Sequence, residues 1–138
     1  MTAEVLPWQA SIAAEQSVIG GLLLDNSGYD LIADVISEGD FYVNSHRTIF
    51  RTIAQLLDAG QAADVVTVDV RLRAAGGEPD PDLGIGYLAS MAQNTPSSAN
   101  IRHYSEIVRE RSVLRALFGA ARQICENIAN SQGRSVPQ

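Results

Sequence analysis

The stretch "NTPSSANIRHYSEIVRERSVLRAL", residues 94–117, decides the fold, because it joins a turn to the beginning of a very long helix. Pro96 disfavours helical backbone at Thr95, so the preceding helix is expected to end there. Ser97 or Ser98 can then cap the helix that follows, since serine hydroxyls accept hydrogen bonds from free helical N–H groups.

This helix is predicted to run from Ala99 to Asn130, a range without proline. Its length of about 32 residues corresponds to a rod of about 48 Å. A compact globule of this chain length is only about 37 Å across, so the rod must protrude. Gly119 within it lowers helix stability by about 1 kcal/mol relative to alanine and is a candidate bend.

The outer half of the rod carries an apolar stripe with 3-4 spacing, which is typical of a helix that packs against a partner. We call it the outer stripe, and it consists of Leu114, Leu117, Phe118, Ala121, Ile124 and Ile128. Contiguous apolar surface of this kind usually marks an interface. We therefore expect self-association through the outer stripe, with the same rod of a second subunit or with a returning helix.

The rest of the chain predicts a helical head over residues 11–98, a flexible arm over residues 1–10 and a turn over residues 131–138. With the rod, apolar periodicity and turn residues predict six main helices. The five in the head are expected from Ser11 to the "DNSG" turn at Asp25, at Tyr29–Ile36, at Ser45–Ala59 closed by Gly60, at Thr67–Ala75 and over "IGYLASMAQ" at 85–93.

Two places in the head conflict with simple periodicity. Gly20 and Gly21 together weaken a helix by about 2 kcal/mol, which favours close approach of another backbone. Residues 64–72 alternate like a strand, but no second strand candidate exists to pair with them. We therefore predict a helix there, with Thr67 as its N-cap.

Composition excludes several kinds of chemistry. The formal net charge is −6, and all ten basic residues are arginine. A chain without lysine has no phosphate-binding-loop lysine, no Schiff-base lysine and no lysine general base. A single cysteine, Cys125, cannot form an internal disulfide. Neither a membrane span nor a secretory signal pattern occurs, so a cytoplasmic location is expected.

Other functional interpretations rest on scattered residues. The rod also has an arginine-rich face, which is open to three interpretations. It could bind DNA as a small helical domain, or dock an acidic protein partner. It could also be a solvated surface with ion pairs such as that of Glu106 with Arg109. This face consists of Arg102, Arg109, Arg111, Arg115 and Arg122. His46 and His103 lack the neighbours of a metal site, and scattered aspartates are the sole support for a hydrolase.

Four segments in this order resemble the N-terminal domain of the bacterial replicative DNA helicase, the DnaB family. They are "AAEQSVIGGLLLD", "DFYVNSHRTIFRTIAQL", "ADVVTV" and "YLASMAQNTPSSANIRHYSEIVRERSVLRAL". The resemblance implies an all-α fold with a compact helical head and a long protruding helix that is the first arm of a helical hairpin.

The resemblance also implies a function without chemistry in this chain: assembly of dimers into a hexameric ring, and docking of primase and a helicase loader. It implies that ATP, magnesium and most contacts with single-stranded DNA belong to an ATPase domain outside this chain. No cofactor, metal or membrane contact is expected here. The margins of the outer stripe, together with Tyr87 near the head, are expected to contribute to primase docking.

Overall fold

The computed structural model describes residues 10–76 and 80–131, and every regular element in those two ranges is helical. The α-helices are α1 Ile12–Leu24, α2 Gly28–Ile32, α3 Asn44–Asp58, α4 Val65–Ala74, α5 Ile85–Asn94 and α6 Ile101–Asn130. Short 3-10 helices at Glu38–Asp40, Pro81–Leu83 and Ser98–Asn100 precede α3, α5 and α6. The predicted all-α head and rod are confirmed. Nearly all of the predicted arm and C-terminal turn lies outside the described residues.

Helix α1 is the centre of the head. The Ser11 hydroxyl caps it by accepting a hydrogen bond from the Ala14 N–H group at 3.2 Å, as N-cap serines do. From Val18 to Leu23 every residue is buried, because α3, α5 and α6 all pack against this helix. The glycine pair lies in the middle of this buried segment.

Gly20 allows the backbone of α5 to approach α1, as predicted, and Gly21 leaves room for a side chain of α6. A Cβ atom on Gly20 would collide with the Thr95 hydroxyl and the Met91 carbonyl at the end of α5. A Cβ atom on Gly21 would lie 3.3 Å from the Ile101 side chain at the beginning of α6. The two glycines therefore set how closely α5 and the rod pack on the core.

Some predicted boundaries were wrong. Helix α2 ends at Ile32 instead of Ile36, and a turn follows it. Residues 65–74 are helical as predicted, but Asp64, not Thr67, is the N-cap. The Asp64 carboxylate accepts the Thr67 N–H, and the Thr67 hydroxyl accepts the Asp64 N–H, each at 2.8 Å. Thr67 thus occupies the third helical position of a capping box.

The rod begins at Ile101, two residues later than the pattern predicts. Residues 98–100 form a 3-10 turn, and Ser97 caps that turn by accepting the Ala99 N–H. The head covers one face of the inner half, where Ile101, Ser105 and Val108 are buried. Every residue from 116 to 130 is exposed, so the outer half projects from the head. Within the described ranges, no helix is long and apolar enough to cross a bilayer.

Replacing Gly20 with alanine should lower the free energy of unfolding by about 2 kcal/mol or more, because backbone atoms of α5 would have to move. Gly119→Ala is the matched control, since nothing lies within 4 Å of a Cβ atom there. That substitution should stabilise the chain by up to about 1 kcal/mol through helix propensity. Urea denaturation of both variants tests this, and a neutral Gly20→Ala would contradict the close packing.

Candidate assembly and docking surface

A buried carboxylate on α1 organises the beginning of α3. Glu15 is 1% exposed and accepts hydrogen bonds from the backbone N–H groups of Tyr42 at 2.7 Å and Val43 at 3.2 Å. The ring nitrogen Nδ1 of His46 lies 2.8 Å from the same carboxylate. Helix α3 has no side-chain cap of its own, so a neighbouring helix supplies the acceptor for these donors.

This network extends to Tyr87 on α5. The His46 Nε2 atom lies 2.6 Å from the Tyr87 hydroxyl, and the two rings are stacked with centroids 5.9 Å apart. Nδ1 donates a hydrogen bond to the Glu15 carboxylate. In this tautomer Nε2 carries no proton, so it accepts a hydrogen bond from the Tyr87 hydroxyl. The Tyr87 oxygen then accepts a hydrogen bond from Gln16 at 3.2 Å. The Tyr87 hydroxyl thus helps to hold α5 to α1 and α3 within the head. The residues around Tyr87 in the sequence do not indicate this structural role.

A second buried carboxylate joins the rod to the head. Asp40 accepts hydrogen bonds from the Ser37 N–H, from Arg109 at 2.9 Å and from Ser112 at 2.8 Å. Burial alone would raise the pKa of Asp40, but these donors outweigh it and hold the pKa below the usual 3.8. The predicted pairing of Arg109 with Glu106 is wrong, because this arginine binds the head.

Other arginines of the inner rod also contact the head. Arg115 donates to the Asp40 carbonyl oxygen at 2.7 Å, and its guanidinium lies 5.4 Å from the centre of the Tyr42 ring. Arg102 donates to the Leu31 carbonyl oxygen, also at 2.7 Å. Arg122 lies farther out and pairs with Glu126 of the rod itself at 3.4 Å. The predicted arginine-rich face is therefore largely a head-to-rod joint.

The outer stripe is exposed from Leu117 onward. Leu114 is half-buried, whereas the exposed fraction is 61% for Leu117, 38% for Phe118, 59% for Ile124 and 65% for Ile128. Ala121 is exposed as well. Tyr87 is half-buried on the head, so the structure places the seven predicted interface residues on two different elements.

The rod changes its apolar face between its two halves. Leu114, Leu117 and Ala121 each follow a head-facing residue by nine positions, namely Ser105, Val108 and Ser112. Nine residues at about 100° each amount to two and a half turns. The outer stripe therefore points roughly opposite to the buried Ser105 and Val108, although half-buried Ile107, seven residues before Leu114, also packs on the core. A helix on the outer stripe would lie on the far side of the rod.

A helical head bearing one long arm, with an apolar face directed away from that head, defines an α-helical head-and-arm domain. Among residues 10–76 and 80–131, no group of three His, Cys, Asp or Glu side chains is placed to hold a metal ion. Residues 8–110 match the model of the DnaB-like helicase N-terminal domain, and the chain belongs to that family.

Curated relatives of this chain carry the name replicative DNA helicase DnaB. The Buchnera aphidicola (subsp. Baizongia pistaciae) protein is 40% identical over 125 residues, which are 91% of this chain and 27% of that protein. The Haemophilus influenzae protein is 38% identical over 135 residues, 98% of this chain and 29% of that protein. The chain thus spans less than a third of the length of these relatives.

Solved structures agree with the fold. The N-terminal domain of DnaB helicase from Mycobacterium tuberculosis superposes with a TM-score of 0.81 at 33% identity, covering 86% of this chain and 85% of that one. A DnaB-like replicative helicase, described together with its interactions with primase, gives a TM-score of 0.67 at 29% identity. That match covers 86% of this chain and 28% of the helicase.

Replacing Asp40 with asparagine should lower the free energy of unfolding by about 2 kcal/mol near neutral pH, since charge-assisted bonds to the rod are lost. The lowered pKa means that the carboxylate stabilises the fold fully above the unfolded value near 3.8. This contribution disappears as the pH falls through the lower folded value. The difference between wild type and variant should therefore shrink in acid.

Asp34→Asn is the matched control, because its pair with Arg102 is exposed and 3.5 Å long. Such a pair contributes at most about 1 kcal/mol. Urea denaturation at about pH 7 and about pH 2.5 compares the two variants. Equal losses in both variants, or a difference for Asp40→Asn that does not change with pH, would contradict the assigned role.

Proposed function

We propose that this chain is the N-terminal assembly and docking domain of a hexameric replicative DNA helicase. In this role the head and rod organise the ring and receive partner proteins, without chemistry of their own. The exposed outer stripe carries the proposal, because it presents contiguous apolar surface on a member of this family. Apolar surface of this extent in water usually marks an interface.

The rod of a second copy is the proposed occupant of the outer stripe. The stripe contains only apolar side chains, so two copies can pack ridges into grooves without burying an unpaired charge. A two-fold axis between the rods would use the same patch on both subunits, which is the commonest symmetry of homo-oligomers. The exposed residues 116–130 extend beyond the head, which leaves room for a second rod on this part of the stripe.

We further propose that primase, and a helicase loader, dock at the margins of the outer stripe and near Tyr87. The structural neighbour described with primase supports the choice of partner for this family. Tyr87 would contribute the exposed part of its ring, because its hydroxyl is bonded within the head. Tyrosine is enriched at interface centres, since it combines a large apolar ring with a polar atom.

The activity of the longer protein is part of the same proposal. A parent of the length of the curated relatives would unwind duplex DNA with ATP and magnesium in a separate domain, and that domain would hold most of the single-stranded DNA. The name and length of the relatives support this assignment. We propose a cytoplasmic location, where bacterial DNA replication takes place.

DNA binding through the arginine-rich face is the weaker candidate function. Arg102, Arg109 and Arg115 already donate hydrogen bonds to the head, and the net charge of −6 repels a phosphate backbone at long range. These contacts favour a structural role for the face. Titration with single-stranded DNA at low and moderate salt distinguishes the two, because phosphate-driven binding weakens steeply with salt.

Replacing Ile124 with aspartate should weaken self-association by about 2–4 kcal/mol, because a charge would be buried in the rod-to-rod contact. Primase capture should fall as well, while the helical content and melting temperature of the head stay unchanged. Sedimentation equilibrium and a primase pull-down give these measurements. Gln123→Asp is the matched control, since it adds the same charge outside the outer stripe, about 100° around the helix from Ile124.

Unchanged mass and unchanged primase capture by Ile124→Asp would contradict the proposed role of the stripe. Equal effects of Ile124→Asp and Gln123→Asp would also contradict it, because a charge anywhere on the rod would then suffice. Loss of primase capture alone would assign the stripe to docking and remove self-association from the proposal.

Nucleotide should not bind this domain. A ligand that binds the folded state raises the melting temperature by mass action. Millimolar ATP with magnesium should therefore leave the melting temperature unchanged. A clear upward shift, absent with magnesium alone, would contradict the assignment of nucleotide chemistry to another part of the protein.

A further inference from the structure

Helix α4 exposes two valines that the fold of the described chain does not use. Its residues alternate like a strand, and in a helix this alternation divides the apolar side chains between two faces. Val68 is buried in the core, whereas Val66 and Val70 are 61% and 59% exposed. β-branched residues on an exposed helical surface gain neither helix propensity nor burial.

These valines form one wall of an apolar groove beside the head. The groove has a volume of about 390 Å³. Its other residues include Leu56 from the end of α3 and Ala62 from the connection to α4. Val66, Val70 and Ala74 are spaced by four residues and line it for about 12 Å, which is the length of two helical turns. A long, open, apolar groove of this kind fits an amphipathic helix.

One charged group stands at the rim of the groove. Arg71 is exposed and lines the groove, and no hydrogen bond or ion pair within the described chain engages its guanidinium. The neighbouring Arg73 is paired with Asp69 at 3.1 Å. A partner that covers the valines would thus meet one available positive charge, which favours an acidic side chain beside its apolar face.

The rod of a second copy does not fit this requirement. The outer half of the rod, residues 114–130, contains one carboxylate, Glu126, which is already paired with Arg122, so a docked rod would offer Arg71 no available acid. We infer that the groove between α3 and α4 is a docking site for an amphipathic helix of another protein, with apolar residues four apart and a flanking carboxylate. This site is separate from the outer stripe and from Tyr87.

Two designed peptides test the inference on the full chain. The first is a helical peptide of about 14 residues, or about four turns, with leucines four apart and glutamates on one flank. The second is identical except that lysines replace the glutamates. Fluorescence anisotropy measures affinity, and methyl NMR spectra locate the contact. We expect the methyl signals of Val66 and Val70 to shift. The glutamate peptide should bind at least about tenfold more tightly than the lysine peptide, a difference in binding free energy of about 1.4 kcal/mol.

Two variants of the chain check the assignment of the groove. Val70→Asp should abolish binding of the glutamate peptide, whereas Leu31→Asp, which changes a leucine of similar exposure (53%) on α2, should not. Arg71→Glu should reverse the preference toward the lysine peptide. Because α4 keeps its buried face in each variant, circular dichroism should report an unchanged fold.

Several results would overturn the inference. These are no binding of either peptide, equal affinity for both, or NMR shifts centred on the outer stripe. A drop in sedimenting mass of the peptide-free Val70→Asp chain would overturn it too, because a second copy would then cover the groove. None of these results depends on Ile124, so the rod-to-rod contact is tested separately.

Discussion

The buried carboxylate of Glu15 is the constraint on which the rest of the head depends. An ionised group removed from water destabilises a fold by several kcal/mol unless donors surround it. Here the donors come from the backbone before α3 and from His46, so α1 and α3 must be placed together. This placement also fixes Tyr42 under Arg115 and turns Asp40 toward the rod. The direction of the arm thus follows from a hydrogen-bond network one layer below it.

The rod makes two kinds of contact along its length. Near the head it uses charged and hydroxyl groups with fixed partners, which require a particular geometry. Farther out it offers apolar side chains, whose packing tolerates variation in partner and angle. The proposed assembly and docking would use both properties, namely a rigid joint inside the subunit and an adaptable surface toward a partner.

The sequence predicted the helices well because their signals are local. Pro96, the glycine pair and the 3-4 spacing of apolar residues each act within a few positions of the chain. The joint could not be predicted in the same way, since Asp40 and Arg109 are far apart in sequence and meet only through the fold. Thr67 was assigned the wrong place because Asp64, three residues earlier, is the more favoured N-cap residue.

The residues of the proposed interface differ in the same way in how far the sequence reveals them. An apolar stripe on a helix is visible in sequence, so the outer stripe could be proposed from periodicity. The second role of Tyr87 and the role of His46 depend on contacts between α1, α3 and α5, and no spacing rule reveals them. Val66 and Val70 were noticed as part of a strand-like alternation, and only the helical geometry shows which of the valines are left outside.

The joint at Asp40 also makes the rod a lever. Arg109, Ser112 and Arg115 hold the arm to the head over almost two turns, so head and arm must turn as one body. The roughly fifteen residues of the rod beyond this joint extend about 22 Å from it. A partner that binds the outer half of the rod and tilts it slightly therefore reorients the whole head, without any change in the packing inside the head.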